Sequence, residues 1–284
     1  MKPDERRGLW LAMLAVLCFS TSPVLLIWAN PLSPYEKSAW RMGIAALAVL
    51  AVARVQRRPP RYSHEDRGKF LLFGLVTAVH FLAYIASLNF TSIAHALTVT
   101  YTAPVFVTLF SAWFLKESIA QRKYLGIVVV VIGTGILAGF EPALTPHILI
   151  GDGLALVSAI AFGFYSVMGR SQRAMYPLLT YAFAIYGIAA LWLLPAALAT
   201  FTPAGYGPRQ VLSLIAVGVI PMAIGHTLYN AAIRRTYATY ANLIATQEVT
   251  GGVILGALLL GQWPTVNSLI GATITLAGIA LVLI

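Results

Sequence analysis

From Phe70 to Leu115 the chain runs for 46 residues without one Asp, Glu, Lys or Arg, and from Val249 to Ile284 for 36 more. A bilayer-spanning helix needs about 20 mostly apolar residues, so the first run alone is long enough for two. In lipid each backbone N–H and C=O must find its partner inside the protein, which restricts such segments to helices or closed barrels. These runs are continuous rather than alternating, so helices are expected. The totals agree: 59% of the 284 residues are hydrophobic and 10% charged, against roughly 25% charged in a soluble domain. The fold class expected is an all-α polytopic membrane protein.

Ten spans are expected, near 9–29, 36–54, 69–90, 94–115, 122–140, 150–169, 177–199, 210–230, 236–260 and 265–284. The second is the least clean, because it must recruit Trp40 and Arg41 at its end. Connections such as Thr91-Ser92-Ile93 are short, so consecutive helices are antiparallel neighbours and no separate catalytic domain fits. With the N-terminus inside, all of the 19 basic residues except Lys37, Arg41 and Arg209 fall on the cytoplasmic side, as the positive-inside bias requires. The net charge of +10 is then a membrane anchor against anionic headgroups and not a nucleic-acid surface. Both termini are expected in the cytoplasm, and the short loops fit a bacterial inner membrane. The first apolar stretch, from Gly8 to Tyr35, reads as a retained helix rather than a cleaved leader. The single cysteine, Cys18, lies in it as a small apolar residue.

The sequence also repeats itself. Gly43-Ile44-Ala45-Ala46-Leu47 recurs as Gly187-Ile188-Ala189-Ala190-Leu191. At nearly the same offset Phe19 answers Phe162, Gly74 answers Gly218, and Gly126 and Gly133 answer Gly271 and Gly278. Two repeats are expected, 1–144 and 145–284. Five spans in each would place the halves in opposite orientations, the inverted repeat common in secondary transporters.

Around the fourth and fifth spans stand Ala94-His95-Ala96-Leu97, Ala103-Pro104-Val105-Phe106, Trp113-Phe114-Leu115-Lys116-Glu117-Ser118, and Gly126-Ile127 with Gly133. This pattern resembles the EamA-type ten-helix exporters of the drug/metabolite transporter superfamily, and the resemblance covers essentially the whole chain. The second half departs from it: Glu248 and Val249 stand about where Pro104 would recur, and Gln262 replaces Glu117. The resemblance implies export of amino acids, drugs or other metabolites by alternating access, with no cofactor and no enzymatic step. His80, Tyr84, Tyr101 and Trp113 look most like the branch that exports aromatic and other neutral amino acids.

Polar groups at membrane depth are costly and face the bundle interior, so they are the candidates for substrate binding. His80 and Tyr84 lie one turn apart on one face of the third span. In the fourth span Pro104 cannot donate to a carbonyl one turn upstream, which points to Thr100 and Tyr101 as binding groups and to Pro104 as a bend. Ser22 with Pro23 in the first span, and Tyr165 in the sixth, suggest a pseudo-symmetric cavity, although Ser and Thr also bond their own backbone. Gly135/Gly139 and Gly252/Gly256 permit close helix approach. His226 is a further candidate for substrate binding or translocation; with Asn230, four residues on, it could also form an inner gate, and His95 suits an outer one. Glu248 is the only acidic residue deep in a predicted span. Such a carboxyl can bind an amine, exchange a proton or make a structural hydrogen bond, and with His80 it is the candidate for proton coupling. Glu117, beside Lys116, reads as a residue that caps, pairs or latches the bundle rather than one that touches substrate.

The expectation is a secondary active exporter of small neutral or aromatic amino acids and related metabolites, driven by exchange or a proton gradient. Its partners are the small-molecule substrate, membrane lipid and the proton. The alternatives are a multidrug or cation exporter of the same superfamily and a non-transporting scaffold or receptor. Neither HExxH nor GxSxG nor paired cysteines are present, and the five histidines show no metal spacing. Oligomeric state is left open.

Overall fold

A computed structural model describes residues 3–117, 120–139 and 145–283, all of them helix or short connection. The helices are α1 (Pro3–Phe19), α2 (Ser22–Trp28), α3 (Pro34–Val55), α4 (Arg67–Ser87), α5 (Ile93–Thr100), α6 (Ala103–Phe110), α7 (Gln121–Gly139), α8 (Pro146–Ser171), α9 (Leu178–Ala199), α10 (Pro208–Val217), α11 (Thr227–Ile233), α12 (Ala238–Ala245), α13 (Glu248–Leu260) and α14 (Val266–Leu283). Wide π-type turns at Ser111–Leu115 and Gly218–His226 extend α6 and join α10 to α11. Taken with their continuations, eight of these rods are long and apolar enough to cross a membrane. The fifth and tenth expected spans correspond to α7 and α14, whose apolar stretches, Tyr124–Ile136 and Leu269–Gly278, are shorter. Lys2, Ser118, Ile284 and the expected repeat boundary at 144 lie outside the described residues.

The ends of the rods follow from local sequence. Ser33 accepts from Glu36 N at 3.2 Å while Glu36 Oε2 accepts from Ser33 N at 2.9 Å, a capping box that starts α3 just before Pro34. Ser92 caps α5 through His95 N at 3.2 Å, and Thr145 caps α8 through Ile148 N at 3.3 Å. Gly261, at φ 69°, closes α13 in the left-handed conformation that glycine adopts without strain.

Three rods are broken mid-membrane. In each break a threonine hydroxyl bonds the carbonyl three residues back: Thr21 to Cys18 at 2.7 Å, Thr102 to Val99 at 2.8 Å and Thr246 to Leu243 at 2.6 Å.

The packing is reciprocal between the halves. α3 lies against α9, its counterpart in the repeat, and α7 lies against α14, its own counterpart. A Cβ placed on Gly74 would sit 2.7 Å from Ile188 Cβ, and one on Gly218 would sit 2.6 Å from Ile44 Cβ. The same exchange holds at Gly133 against Thr275 N, 2.6 Å, and Gly278 against Val130 N, 2.7 Å. Partners that swap roles in this way make a two-fold-like contact, the kind an internal duplication produces. Of the small-residue pairs expected to permit close approach, Gly252 meets Leu97 and Gly256 meets Ile93, whereas Gly135 meets nothing within 4 Å. The close contact of α7 runs through Gly133 instead.

Polar contacts tie each end of the bundle. The end rich in Arg and Lys holds Arg170 Nε on Glu117 Oε1 at 2.5 Å and Arg170 Nη1 on Ile233 O at 2.9 Å, so of the roles expected for Glu117 the structure shows pairing. There Tyr176 donates to Asp66, which Lys69 also reaches at 2.7 Å. Lys69 and Tyr176 hold the Asp66 carboxyl below its usual range. At the opposite end Glu36 accepts from Thr202 N at 3.1 Å and from the Tyr206 hydroxyl at 2.9 Å. His95 Nδ1 lies 2.7 Å from Asp152 Oδ1.

Candidate functional site

Between these two ties lies an internal cavity lined by Arg41, His80, Phe81, Tyr84, Leu97, Thr100, Tyr101, Phe162, His226 and Glu248. The breaks in the rods place it. The α5–α6 break brings Thr100 and Tyr101 to its wall, and the α12–α13 break puts Glu248 at the first position of α13. Polar side chains from five rods thus converge where regular helices would have packed shut. The space open to the centre of a water molecule is about 20 Å³, enough for about one water and far too little for an amino acid. The bundle is therefore occluded, and any solute must enter through a rearrangement.

Tyr101 donates its hydroxyl to Glu248 Oε2, joining the two halves across the cavity. His80 Nδ1 sits 2.9 Å from Ser158 Oγ and 3.0 Å from Ser158 O, and its ring stacks on Phe162 at 4.7 Å. The imidazole is thus oriented from α8 and not by Tyr84. His226 packs on Phe19 at 4.4 Å and edge-on to Phe81 at 4.8 Å. Thr100 Oγ1, His226 Nδ1 and Arg41 Nε are buried without a hydrogen-bond partner. A buried polar group left unpaired costs about 1–3 kcal/mol, and three residues of the cavity wall carry one.

Below this cavity, toward the basic end, a second layer of polar side chains is fully buried. Asn230 Nδ2 donates to the Tyr165 hydroxyl at 2.7 Å and the Tyr186 hydroxyl at 3.3 Å. The Tyr229 hydroxyl meets Ser166 Oγ at 2.7 Å and accepts from Asn242 Nδ2 at 3.2 Å. Ser22 receives Arg41 Nη1 at 2.9 Å. Pro23 and Pro104 occupy the first turns of α2 and α6, just past their breaks.

His80, Tyr84, Thr100, Tyr101, His226 and Glu248, picked separately along the sequence, therefore meet in one cavity. Ser22 touches it through Arg41, while Tyr165 and Asn230 belong to the layer beneath. His95 lies apart, at the end opposite the basic residues. His226 stands in the cavity wall, as a substrate-binding residue would, with its ring against Phe19 and Phe81.

Two expectations need correction. Trp113 is 63% exposed and packs near Phe110 on the outer face, so it is not grouped with His80, Tyr84 and Tyr101. Arg41 was expected at the membrane surface and is 2% exposed inside the bundle. Sequence reading missed it because a basic residue near a span end ordinarily serves as a headgroup anchor. The signal available was its seven-residue distance from Pro34, two helical turns inside the second span.

The family model for the EamA-like transporter family matches the chain twice, at residues 6–139 and 149–284. An uncharacterized transporter of Clostridium kluyveri is 24% identical over 289 residues, covering 96% of this chain and 92% of that protein. The pseudopaline exporter CntI of Pseudomonas aeruginosa is 26% identical over 236 residues, covering 82% of this chain and 81% of that protein. A solved crystal structure superposes with a TM-score of 0.79 at 19% identity, over 96% of this chain and 95% of that one; it shares the fold. The chain belongs to the EamA-like transporter family.

Proposed function

We propose that this protein is a secondary active exporter of small neutral or aromatic amino acids and related metabolites. It works by alternating access between two inverted five-helix repeats, ten helices in all, in a bacterial inner membrane with both termini in the cytoplasm. The observation that carries the reading is the occluded cavity, where one carboxyl, Glu248, shares a wall with the rings of Phe81, Phe162, His80 and His226. A carboxylate suits an ammonium group, and the rings suit an apolar side chain.

The double family match and the reciprocal glycine contacts support the repeat. Separate polar ties at the two ends support gates that open alternately: Arg170 with Glu117 on one side, Glu36 with Thr202 and Tyr206 on the other. The Pseudomonas aeruginosa relative, an exporter of pseudopaline, supports the outward direction. Exchange or a proton gradient supplies the drive, with Glu248 and His80 as the groups to exchange a proton.

A cation exporter of the same superfamily is the second reading, favoured by a carboxyl among aromatic rings. Arg41 in the same wall works against it, since a guanidinium stays protonated in proteins and repels a cation that brings no anion with it.

The test is counterflow in proteoliposomes of the purified protein, with labelled amino acids offered one at a time. Saturable exchange of one or a few of them is the expected result. A folded protein that exchanges none contradicts the amino-acid reading, and tolerance of alanine at His80, Tyr101 and Glu248 together would favour a scaffold.

A further inference from the structure

We infer that Arg41 is the carboxylate anchor of the substrate site, so that the cavity takes a zwitterion held by its carboxylate at Arg41 and by its ammonium at Glu248. The inference rests on the exporter reading above and adds a charge requirement to it.

The environment of Arg41 is what points there. The side chain is 2% exposed, and a charge removed from water at that depth costs several kcal/mol unless it is paired. Yet among the described residues no carboxylate lies within 4 Å of it. It donates one bond, from Nη1 to Ser22 Oγ at 2.9 Å. Its guanidinium carbon lies 4.6 Å from the centroid of the Phe81 ring, a contact that offsets part of the cost. Nε is buried without a partner. A planar fork with a donor left over in a polar cavity is the geometry that accepts a carboxylate.

Glu248 lines the same cavity but is not in ion-pair contact with Arg41. Its Oε2 is taken by Tyr101, and Oε1 accepts no hydrogen bond among the described residues. A guanidinium and a carboxyl on the wall of one small cavity suit the carboxylate and the ammonium of an α-amino acid. They disfavour a simple amine, which leaves the guanidinium unpaired, and a simple acid, which leaves the carboxyl without its cation. The remaining unpartnered groups, Thr100 Oγ1 and His226 Nδ1, can bond the same headgroup. Nothing in the repeat obliges an arginine here, because the matching residue of the second half is Ile185.

The experiment is proteoliposome counterflow with labelled L-phenylalanine, L-leucine and L-threonine, and in parallel with labelled phenethylamine and phenylpropionate. Phenylalanine and its carboxamide serve as competitors. The expected result is exchange of the amino acids, with the carboxamide competing about 10- to 100-fold more weakly than the acid, the range set by one hydrogen-bonded charge. In R41Q the affinity for the acid falls by a similar factor while that for the carboxamide does not, so the preference collapses. A purely structural arginine would lower transport of both alike.

Equal competition by acid and carboxamide in the wild type overturns the anchor and leaves the exporter reading standing. So does an unchanged preference in R41Q or, should that variant fail to fold, in R41K. Exchange of phenethylamine or phenylpropionate alone overturns the zwitterion and the amino-acid substrate, but not transport itself. Exchange of none of the five by folded protein contradicts the amino-acid reading of the exporter, and this inference falls with it.

Discussion

The two halves of this molecule agree in how they pack and differ in what they carry. Gly74 meets Ile188 as Gly218 meets Ile44, and the helix breaks at Tyr101–Thr102 and Thr246–Gln247 fall at equivalent points of the repeat. The chemistry does not follow that symmetry. At the same offsets Arg41 answers Ile185, His80 answers Ile224, and Glu248 answers Ala103. Packing is preserved because both halves must fit the same interface. The cavity is a single space that both halves wall, so each polar group is needed once.

The sharpest way to break that comparison is at the acid. Glu248→Gln keeps the volume and the bond from Tyr101 while removing the charge. Counterflow should fall by about 100-fold, the loss expected for one charged hydrogen bond to substrate, with thermal unfolding in detergent unchanged. Wild-type rates in this variant would mean that the asymmetric polar set is structural.

Next in size is the tie at the basic end. Arg170→Gln strands Glu117 and frees the carbonyls of Ile233 and Thr236 that Arg170 now holds. Losing one partner of this part-buried pair should cost about 2 kcal/mol, below the figure for a fully buried one, measurable as unfolding in mixed micelles. The double variant with Glu117→Gln should recover part of the loss, because the stranded charge is gone. No recovery would show that the carbonyl bonds, and not the ion pair, hold this end.

The glycine contacts test the symmetric part directly. Gly74→Ala and Gly218→Ala each press a Cβ into an isoleucine across the interface, and each should cost about 1–3 kcal/mol, as overpacking does. Ile188→Ala should rescue the first and Ile44→Ala the second, each leaving the other glycine variant unaffected. Unequal costs, or rescue by the wrong isoleucine, would break the two-fold correspondence.

How much of this was legible in the sequence follows the same division. The apolar runs and the constant offset between repeated residues belong to packing, and hydropathy reads packing directly. Six cavity residues were also legible, since His80, Tyr84, Thr100, Tyr101, His226 and Glu248 are polar groups at a depth that tolerates few. Their assembly was not, because nothing local says that α5 and α13 bring Tyr101 onto Glu248. Arg41 was misplaced for a physical reason: hydropathy gives the same reading to a basic residue that anchors at a headgroup and to one that turns inward. Tyr186, Tyr229 and Asn242 were missed for a related one. Tyrosine is common at membrane interfaces, so a buried tyrosine near a span end carries no separate mark.

The smallest effect concerns the breaks. Proline at 104 invites the view that it alone splits α5 from α6, since it has no N–H to give the carbonyl one turn back. The matching residue in the second half is Val249, yet α12 and α13 are split there as well. Both breaks carry a threonine whose hydroxyl takes the carbonyl three residues earlier, Thr102 on Val99 and Thr246 on Leu243, and both lead into the cavity wall. A side-chain hydroxyl that satisfies a backbone carbonyl competes with the helix for it, and the tertiary packing of Tyr101 against Glu248 then fixes the turn. On this view proline reinforces a break that other interactions make. Pro104→Ala should keep the break, cost no more than about 1 kcal/mol in unfolding and leave counterflow near wild type. A loss of transport as deep as that of Glu248→Gln would show instead that the two breaks, placed alike in the repeat, are held by different forces.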